Sequence, residues 1–176
     1  NAYMKNRTTY IDESLLVSPS GEPDERVRVF QRKLYIRAKQ EAGFKAYSLW
    51  DKVCTDYVLI TAYRRVKSGK PQGTGVDSVS FDDIESKGLH QYLSEIQSEL
   101  RTKTYVCLPV RRVRIPKEKK GAYRVLGIPT IKDRIVQMAV KMVIEPLWEA
   151  DFIPHSYGFR PKRGAKEAVK QIKKNL

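Results

Sequence analysis

Apolar residues begin to recur at helical spacing shortly after residue 25. Val27, Phe30, Leu34 and Ala38 fall on one face and Gly43 is the expected stop, so an N-terminal helix is expected within 25–46. A second helical region spans Tyr47 to Val66. Leu59, Ala62, Tyr63 and Val66 share a face there, and Asp56 is the expected N-cap. The run Ser68-Gly69-Lys70-Pro71-Gln72-Gly73-Thr74-Gly75 must be a loop, because its glycines and proline cannot sustain a helix. Ser80 followed by Asp83 forms a capping box ahead of an amphipathic stretch carrying Leu89, Tyr92, Leu93, Ile96 and Leu100.

The period changes after Lys103. Val113 and Ile115 alternate with Arg112 and Arg114, and Ala122 to Ile128 reads as a return strand. Residues 110–128 therefore form an expected β-hairpin with a charged turn over Lys117 to Gly121. Pro129 and Thr130 open a long helix with Thr130 as N-cap and Asp133 at its third position. Ile131, Ile135, Met138, Ala139, Met142 and Val143 form its apolar side. Asp133, Gln137, Lys141 and Glu145 form a polar stripe, and Pro146 is the expected end. Ser156 to Arg163 reads as a loop and Gly164 to Lys174 as a last helix. Residues 1–24, with Ser18-Pro19-Ser20-Gly21-Glu22-Pro23, read as a flexible arm. No internal repeat is visible.

Composition narrows the function. The chain has 176 residues, 41% of them apolar, which suits one or two domains with a real core and is too apolar for a disordered chain. No apolar run reaches the roughly 18 residues of a membrane span, and the polar start lacks a secretory signal. The absence of an initiating Met suggests a processed or trimmed chain. Cys54 and Cys107 read as reduced core thiols of a cytoplasmic protein rather than a disulfide or metal pair. With only 2 His, a zinc site is close to excluded.

The net charge of +14 is unevenly placed. Residues 1–100 hold 15 basic and 14 acidic residues, whereas residues 101–176 hold 19 and 6. A cation excess confined to one segment points to a polyanion, first of all nucleic acid. A solvated basic surface and an anionic membrane surface are the alternatives. The membrane is disfavoured because no basic amphipathic helix with exposed apolar anchors is apparent.

Three stretches could carry the interaction. In the hairpin, Arg112 and Arg114 with Lys117, Lys119, Lys120 and Arg124 would let a ribbon with cations on one face track a phosphate backbone. The alternative is an edge hairpin protected by charge. At the start of the long helix, Arg134 and Gln137 share a face that could touch sugars or bases. Asp133 there reads as a dipole-complementing or Arg-orienting residue rather than a catalyst. The run Ser156-Tyr157-Gly158-Phe159-Arg160-Pro161-Lys162-Arg163 interleaves aromatic and basic residues, which suits single-stranded nucleic acid. Phe159 is the expected core anchor of this loop, with Arg160 and Arg163 at the surface. Arg26, Arg28, Arg32, Lys33 and Arg37 make the first helix a candidate RNA anchor, with a solvated amphipathic helix as the alternative.

No nucleophile–base pair, phosphate-binding glycine loop or clustered carboxylate pair is visible. The residues alone describe a binding module rather than a complete enzyme.

Taken together, these stretches resemble the N-terminal part of a bacterial group II intron reverse transcriptase (intron-encoded maturase). The matching text is Val110-Arg-Arg-Val-Arg-Ile-Pro-Lys117, Leu126-Gly-Ile-Pro-Thr130, Asp133-Arg134, Gln137, Glu145-Pro146, Asp151-Phe152 and Ser156-Tyr-Gly-Phe-Arg-Pro161. Ser48-Leu49, Asp51-Lys52-Val53 and Gly75-Val76-Asp77 also fit, so the resemblance covers about 26–176. Two positions depart from the pattern: Ser78 replaces a common Gly, which puts the turn of that loop in question, and Lys166 replaces a common His.

The resemblance implies an α+β fold: a mostly helical N-terminal segment plus the β-hairpin and helices of the fingers of a right-hand polymerase. Residues 47–104 would be the helical N-terminal extension, with a lid over the template near Gly69 to Ser80. Residues 105–176 would be the fingers, with palm, thumb and maturase domain absent. Lys117 and Arg124 would hold the incoming nucleotide. Arg112, Arg114, Arg134, Gln137, Arg160 and Arg163 would face template or RNA. The implied partners are group II intron RNA, an RNA template, a DNA primer and dNTP, with Mg2+ bound by parts of the parent outside this chain. The fragment alone would be inactive. A non-catalytic RNA-binding maturase module acting in splicing is the alternative, and a homodimer that buries the missing-palm surface is a further expectation.

Overall fold

The computed structural model describes residues 22–41, 43–69, 73–117, 122–161 and 163–175. Most of the expected arm, hairpin-turn residues Lys119 and Lys120, and Lys162 lie outside the described residues. The elements in order are α1 (Glu22–Gln40), α2 (Leu49–Val53), α3 (Asp56–Ser68), α4 (Phe81–Lys87), α5 (Leu89–Thr102), β1 (Arg111–Pro116), β2 (Tyr123–Ile128), α6 (Ile131–Asp151) and α7 (Ala165–Asn175).

Helix α3 is the centre of the core. Val58, Leu59, Ile60 and Ala62 are essentially inaccessible, so this helix is buried well beyond the single face its sequence spacing suggests. It packs against α1 and α6, and α5 closes the other side with Leu93, Ile96 and Leu100. The expected Tyr47–Val66 region is two helices, broken at Cys54 and Thr55. Thr55 rather than Asp56 is the N-cap residue of α3, with its hydroxyl donating back to the Lys52 carbonyl at 2.7 Å. The Asp56 carboxylate, already inside the first turn, accepts the Tyr57 N–H at 2.7 Å.

Two expected helix ends move. Helix α1 starts at Glu22, with Pro23 in its first turn, and ends at Gln40 before Gly43, whose φ is +77°. Helix α6 runs through Pro146 to Asp151. An internal proline removes the N–H that would bond the carbonyl four residues back, here Met142. The Gln31 side-chain amide donates to that carbonyl at 2.8 Å instead. Eight residues further along both helices, Lys39 Nζ donates to the Ala150 carbonyl at 2.9 Å. The equal offset means α1 and α6 run parallel, and α1 supplies two of the donors that α6 needs.

The Ser80–Asp83 capping box is present in both directions, with Asp83 N–H to Ser80 Oγ at 3.1 Å and Ser80 N–H to Asp83 Oδ2 at 2.9 Å. The hairpin forms as expected and pairs antiparallel, Arg111 opposite Ile128 through Pro116 opposite Tyr123. None of its residues joins the buried core, so it stands off the helical body. Cys54 is buried and its thiol pKa is raised by desolvation, whereas Cys107 is exposed and not the core thiol expected; both are free. No helix among the described residues is long and apolar enough to cross a membrane.

Candidate nucleic-acid interface

Directly opposed residues of an antiparallel ladder point to the same side. The pairing therefore puts Arg111, Val113, Ile115, Arg124, Leu126 and Ile128 on one face of the ribbon. Arg112, Arg114, Pro116, Tyr123, Val125 and Gly127 lie on the other. Lys117 continues the first face, because its N–H donates to the Ala122 carbonyl at 2.9 Å. The expectation of one cationic face is thus corrected to two. Lys117 and Arg124 sit diagonally on one, and Arg112 and Arg114 sit on the other beside exposed Tyr123 and Val125. The period of two in β1 dictates this split, since Arg112 and Arg114 have the opposite parity to Arg111 and Lys117. Among the described residues no carboxylate reaches salt-bridge distance of these five cations, so their charge remains available to a ligand.

The root of the hairpin is built on one carboxylate. Asp133, expected on a polar stripe, is 3% exposed. Its N–H donates to Thr130 Oγ1 at 3.0 Å as the N-cap bond, and the Thr130 hydroxyl donates to Asp133 Oδ2 at 2.7 Å. The same carboxylate accepts the Tyr105 hydroxyl and, at 3.4 Å, the Leu108 N–H. A buried carboxylate needs several donors to offset its lost hydration, and these three bind the strand leading into β1 to the start of α6. Burial, then the hydrogen bond to Asp133, pushes the Tyr105 hydroxyl pKa upward.

The loop that follows α3 leans on the same cap. A Cβ on Gly75 would lie 2.5 Å from Thr130 Cα and 2.8 Å from its N, so only glycine permits the approach. Ser78, in place of the glycine usual in the resembled family, nevertheless holds the left-handed conformation at φ +59°. Arg134 is half-buried, its pKa lowered by desolvation, and it donates to the Gly73 carbonyl. Arg134 therefore ties the loop to α6 rather than standing free at the surface.

Beside Arg134 lies an open cleft of about 460 Å³ between the end of α3, the hairpin root and α6. Gln137, expected as a contact residue, is on its wall, together with Arg65 and Lys141, which were not among the expected contact residues. Lys141 sits one turn beyond Gln137 and so could have been found from helical spacing alone. Arg65 belongs to a distant stretch of the chain and carries no local signal.

The loop after α6 reverses the expected roles. Arg160 is 8% exposed, and its guanidinium forks onto Glu149, with Nη2 to Oε1 at 2.6 Å and Nε to both oxygens at 3.1 Å. Its Nη1 donates to the carbonyls of Ile153 and Ser156 at 2.9 and 2.8 Å. Pairing with Arg160 holds the Glu149 carboxyl below its usual range. Arg160 is consequently the loop's internal tie and is withdrawn from any surface contact. Phe159, expected as the anchor, is fully exposed at φ +57°. Only a residue with several donors can satisfy the carbonyls turned inward by this loop, and phenylalanine has none. Arg163 remains exposed, 5.7 Å from the Tyr157 ring, and donates to the Pro154 carbonyl.

A groove of about 720 Å³ runs between the C-terminal half of α1 and the start of α2. Lys33, Arg37, Lys45 and Lys52 line it with Phe44 and Tyr47, and Tyr47 is 80% exposed. Three of the expected anchor cations have partners within the chain: Arg26 lies 4.3 Å from the Tyr57 ring centroid, Arg28 pairs with Glu25 at 4.0 Å, and Arg37 pairs with Glu41 at 3.0 Å.

No protein-family model matches the chain. It is 40% identical over 147 residues to the Escherichia coli K12 protein YkfC, covering 83% of this chain and 38% of that protein. It is 35% identical over 120 residues to the group II intron-encoded protein LtrA of Lactococcus lactis, covering 68% of this chain and 19% of LtrA. It is 32% identical over 117 residues to a COX1/OXI3 intron 2 protein of Saccharomyces cerevisiae, covering 66% of this chain and 13% of that protein. The chain thus spans well under half the length of the curated relatives it matches. On these similarities the chain belongs to the group II intron-encoded proteins.

Proposed function

We propose that this chain is the template- and nucleotide-facing fingers portion of a group II intron RNA-directed DNA polymerase that also assists intron splicing and mobility. The observation that carries this reading is the two-faced hairpin. Lys117 and Arg124 share the face on which an incoming nucleotide would be gripped, with Lys117 neutralising the triphosphate and Arg124 forking onto phosphate and stacking on the base. Arg112 and Arg114 on the reverse face, with Tyr123 beside them, suit the backbone and bases of a template strand. Gln137 in the cleft at the hairpin root and Arg163 in the loop after α6 are assigned to RNA as separate contacts, whereas Arg134 holds the lid loop. The right-hand polymerase arrangement, the primer and dNTP partners and a cytoplasmic location are parts of this proposal.

Among the described residues, no group of three or more His, Cys, Asp or Glu is placed to hold a metal ion. As part of this proposal, the Mg2+ of such a polymerase is held by residues outside this chain, whose own part is to bind and orient nucleotide and template. The purified chain is expected not to extend a primer. In the full-length parent, Lys117→Ala with Arg124→Ala should reduce nucleotide incorporation far more than intron RNA affinity. Equal loss of both would favour the second reading, an RNA-binding maturase module. The groove along α1, with Lys33, Lys45 and Lys52 around Tyr47, supports RNA anchoring in either case.

A further inference from the structure

The cleft at the hairpin root differs from the rest of the basic surface in having an apolar floor. Val66 from α3, Ile128 and Pro129 from the hairpin exit and Met138 from α6 meet there. Arg65 from α3 and Lys141 from α6 line its walls, and the exposed Gln137 amide offers both a donor and an acceptor. Arg134 is committed to the Gly73 carbonyl and fixes the wall rather than meeting a ligand. Glu145 lies 3.7 Å from Lys141 in a solvent-accessible pair, so it screens that ammonium without burying it.

We propose that this cleft takes one unstacked nucleobase of a single-stranded nucleic acid, with the flanking phosphates on Arg65 and Lys141. This rests on the reading of the chain as a nucleic-acid-binding fingers segment and extends it to a site outside the hairpin. A flat, weakly polar ring matches the apolar floor, and a polyanion matches the cations on its walls. A base in a duplex is stacked on its neighbours and cannot reach the floor, so the cleft selects a single strand. The Gln137 amide can pair with the edge of any base and therefore confers little sequence preference. The volume is at the small end of ordinary ligand sites, which suits one nucleotide rather than a folded partner. Leu126 and Ile128 continue the face that carries Arg124 and Lys117, so a strand leaving the cleft would run along that face toward the hairpin tip.

The test uses the 176-residue chain and a single-stranded RNA containing 2-aminopurine, with a hairpin duplex RNA as comparison. Arg65→Ala with Lys141→Ala should make the log–log salt slope for the single strand shallower by about 1.4, from roughly 0.7 per phosphate contact. Met138→Trp, which fills the floor and keeps every charge, should weaken single-strand binding and abolish the 2-aminopurine fluorescence change, leaving duplex binding as it was. Circular dichroism checks that each variant is folded. If both variants bind the single strand as wild type while Arg112→Ala with Arg114→Ala weakens it, the cleft proposal falls and the fingers reading stands. If wild type binds neither RNA, both fall.

Discussion

The side-chain amide of Gln31 donates at 2.8 Å to the carbonyl of Met142, the acceptor that Pro146 leaves without its helical partner. A helix that should stop at its proline therefore continues for another turn, because a neighbouring helix supplies the missing donor. That extra turn carries Glu149, which in turn holds Arg160 and the loop presenting Arg163.

The relationship is measurable by a double-mutant cycle. Gln31→Ala should cost about 1 kcal/mol, the worth of one partly buried hydrogen bond. In a Pro146→Ala background the restored N–H takes over the Met142 carbonyl, so the same substitution should cost close to nothing. Denaturant titration of the four proteins gives the coupling; equal costs in both backgrounds would show that Gln31 does not replace the lost bond.

The loop over the Thr130 cap makes opposite demands at two nearby positions. Gly75→Ala should destabilise by about 1–3 kcal/mol, since the added methyl overlaps the Thr130 backbone. Ser78→Gly should stabilise by roughly 0.5–1 kcal/mol, the cost of a left-handed non-glycine residue less the entropy of glycine. Urea midpoints at constant slope would report both.

Tyr63, Tyr92 and Tyr105 all have raised hydroxyl pKa values, each chiefly through burial. A tyrosine whose folded-state value is raised stabilises fully below the unfolded value and loses that contribution as pH rises toward the folded one. Stability should therefore decline above about pH 10, where the unfolded chain releases these protons first. Tyr105→Phe should make this alkaline decline less steep. It should also speed amide exchange in β1, because the Tyr105–Asp133 contact ties down the approach to that strand.

Much of the architecture follows from local pattern. The Ser80–Asp83 box, the face of α5 and the Thr130 cap depend on residues within a few positions of each other. The hairpin joins two neighbouring strands of clear alternation, and all four are legible in the sequence. What escapes the sequence depends on partners far along the chain. Pro146 needs Gln31, the burial of Asp133 needs Tyr105, and the inward turn of Arg160 needs Glu149. The two hairpin faces are implicit in the alternation of β1, but only the register across the turn assigns Arg124 to the side of Lys117. Arg65 joins the cleft only because α3 ends beside the hairpin root.

The central role proposed for this chain requires the cations of residues 101–176 to meet a nucleic-acid strand, and the salt dependence of single-stranded RNA binding decides whether they do. With about five phosphates engaged, the log–log slope of affinity against salt should lie near −3.5, from roughly −0.7 per phosphate. Replacing Arg112, Arg114 and Arg163 by Ala should bring it toward zero by about 2 on the same per-phosphate basis. A flat salt response in the wild-type chain would contradict the proposed role of these cations.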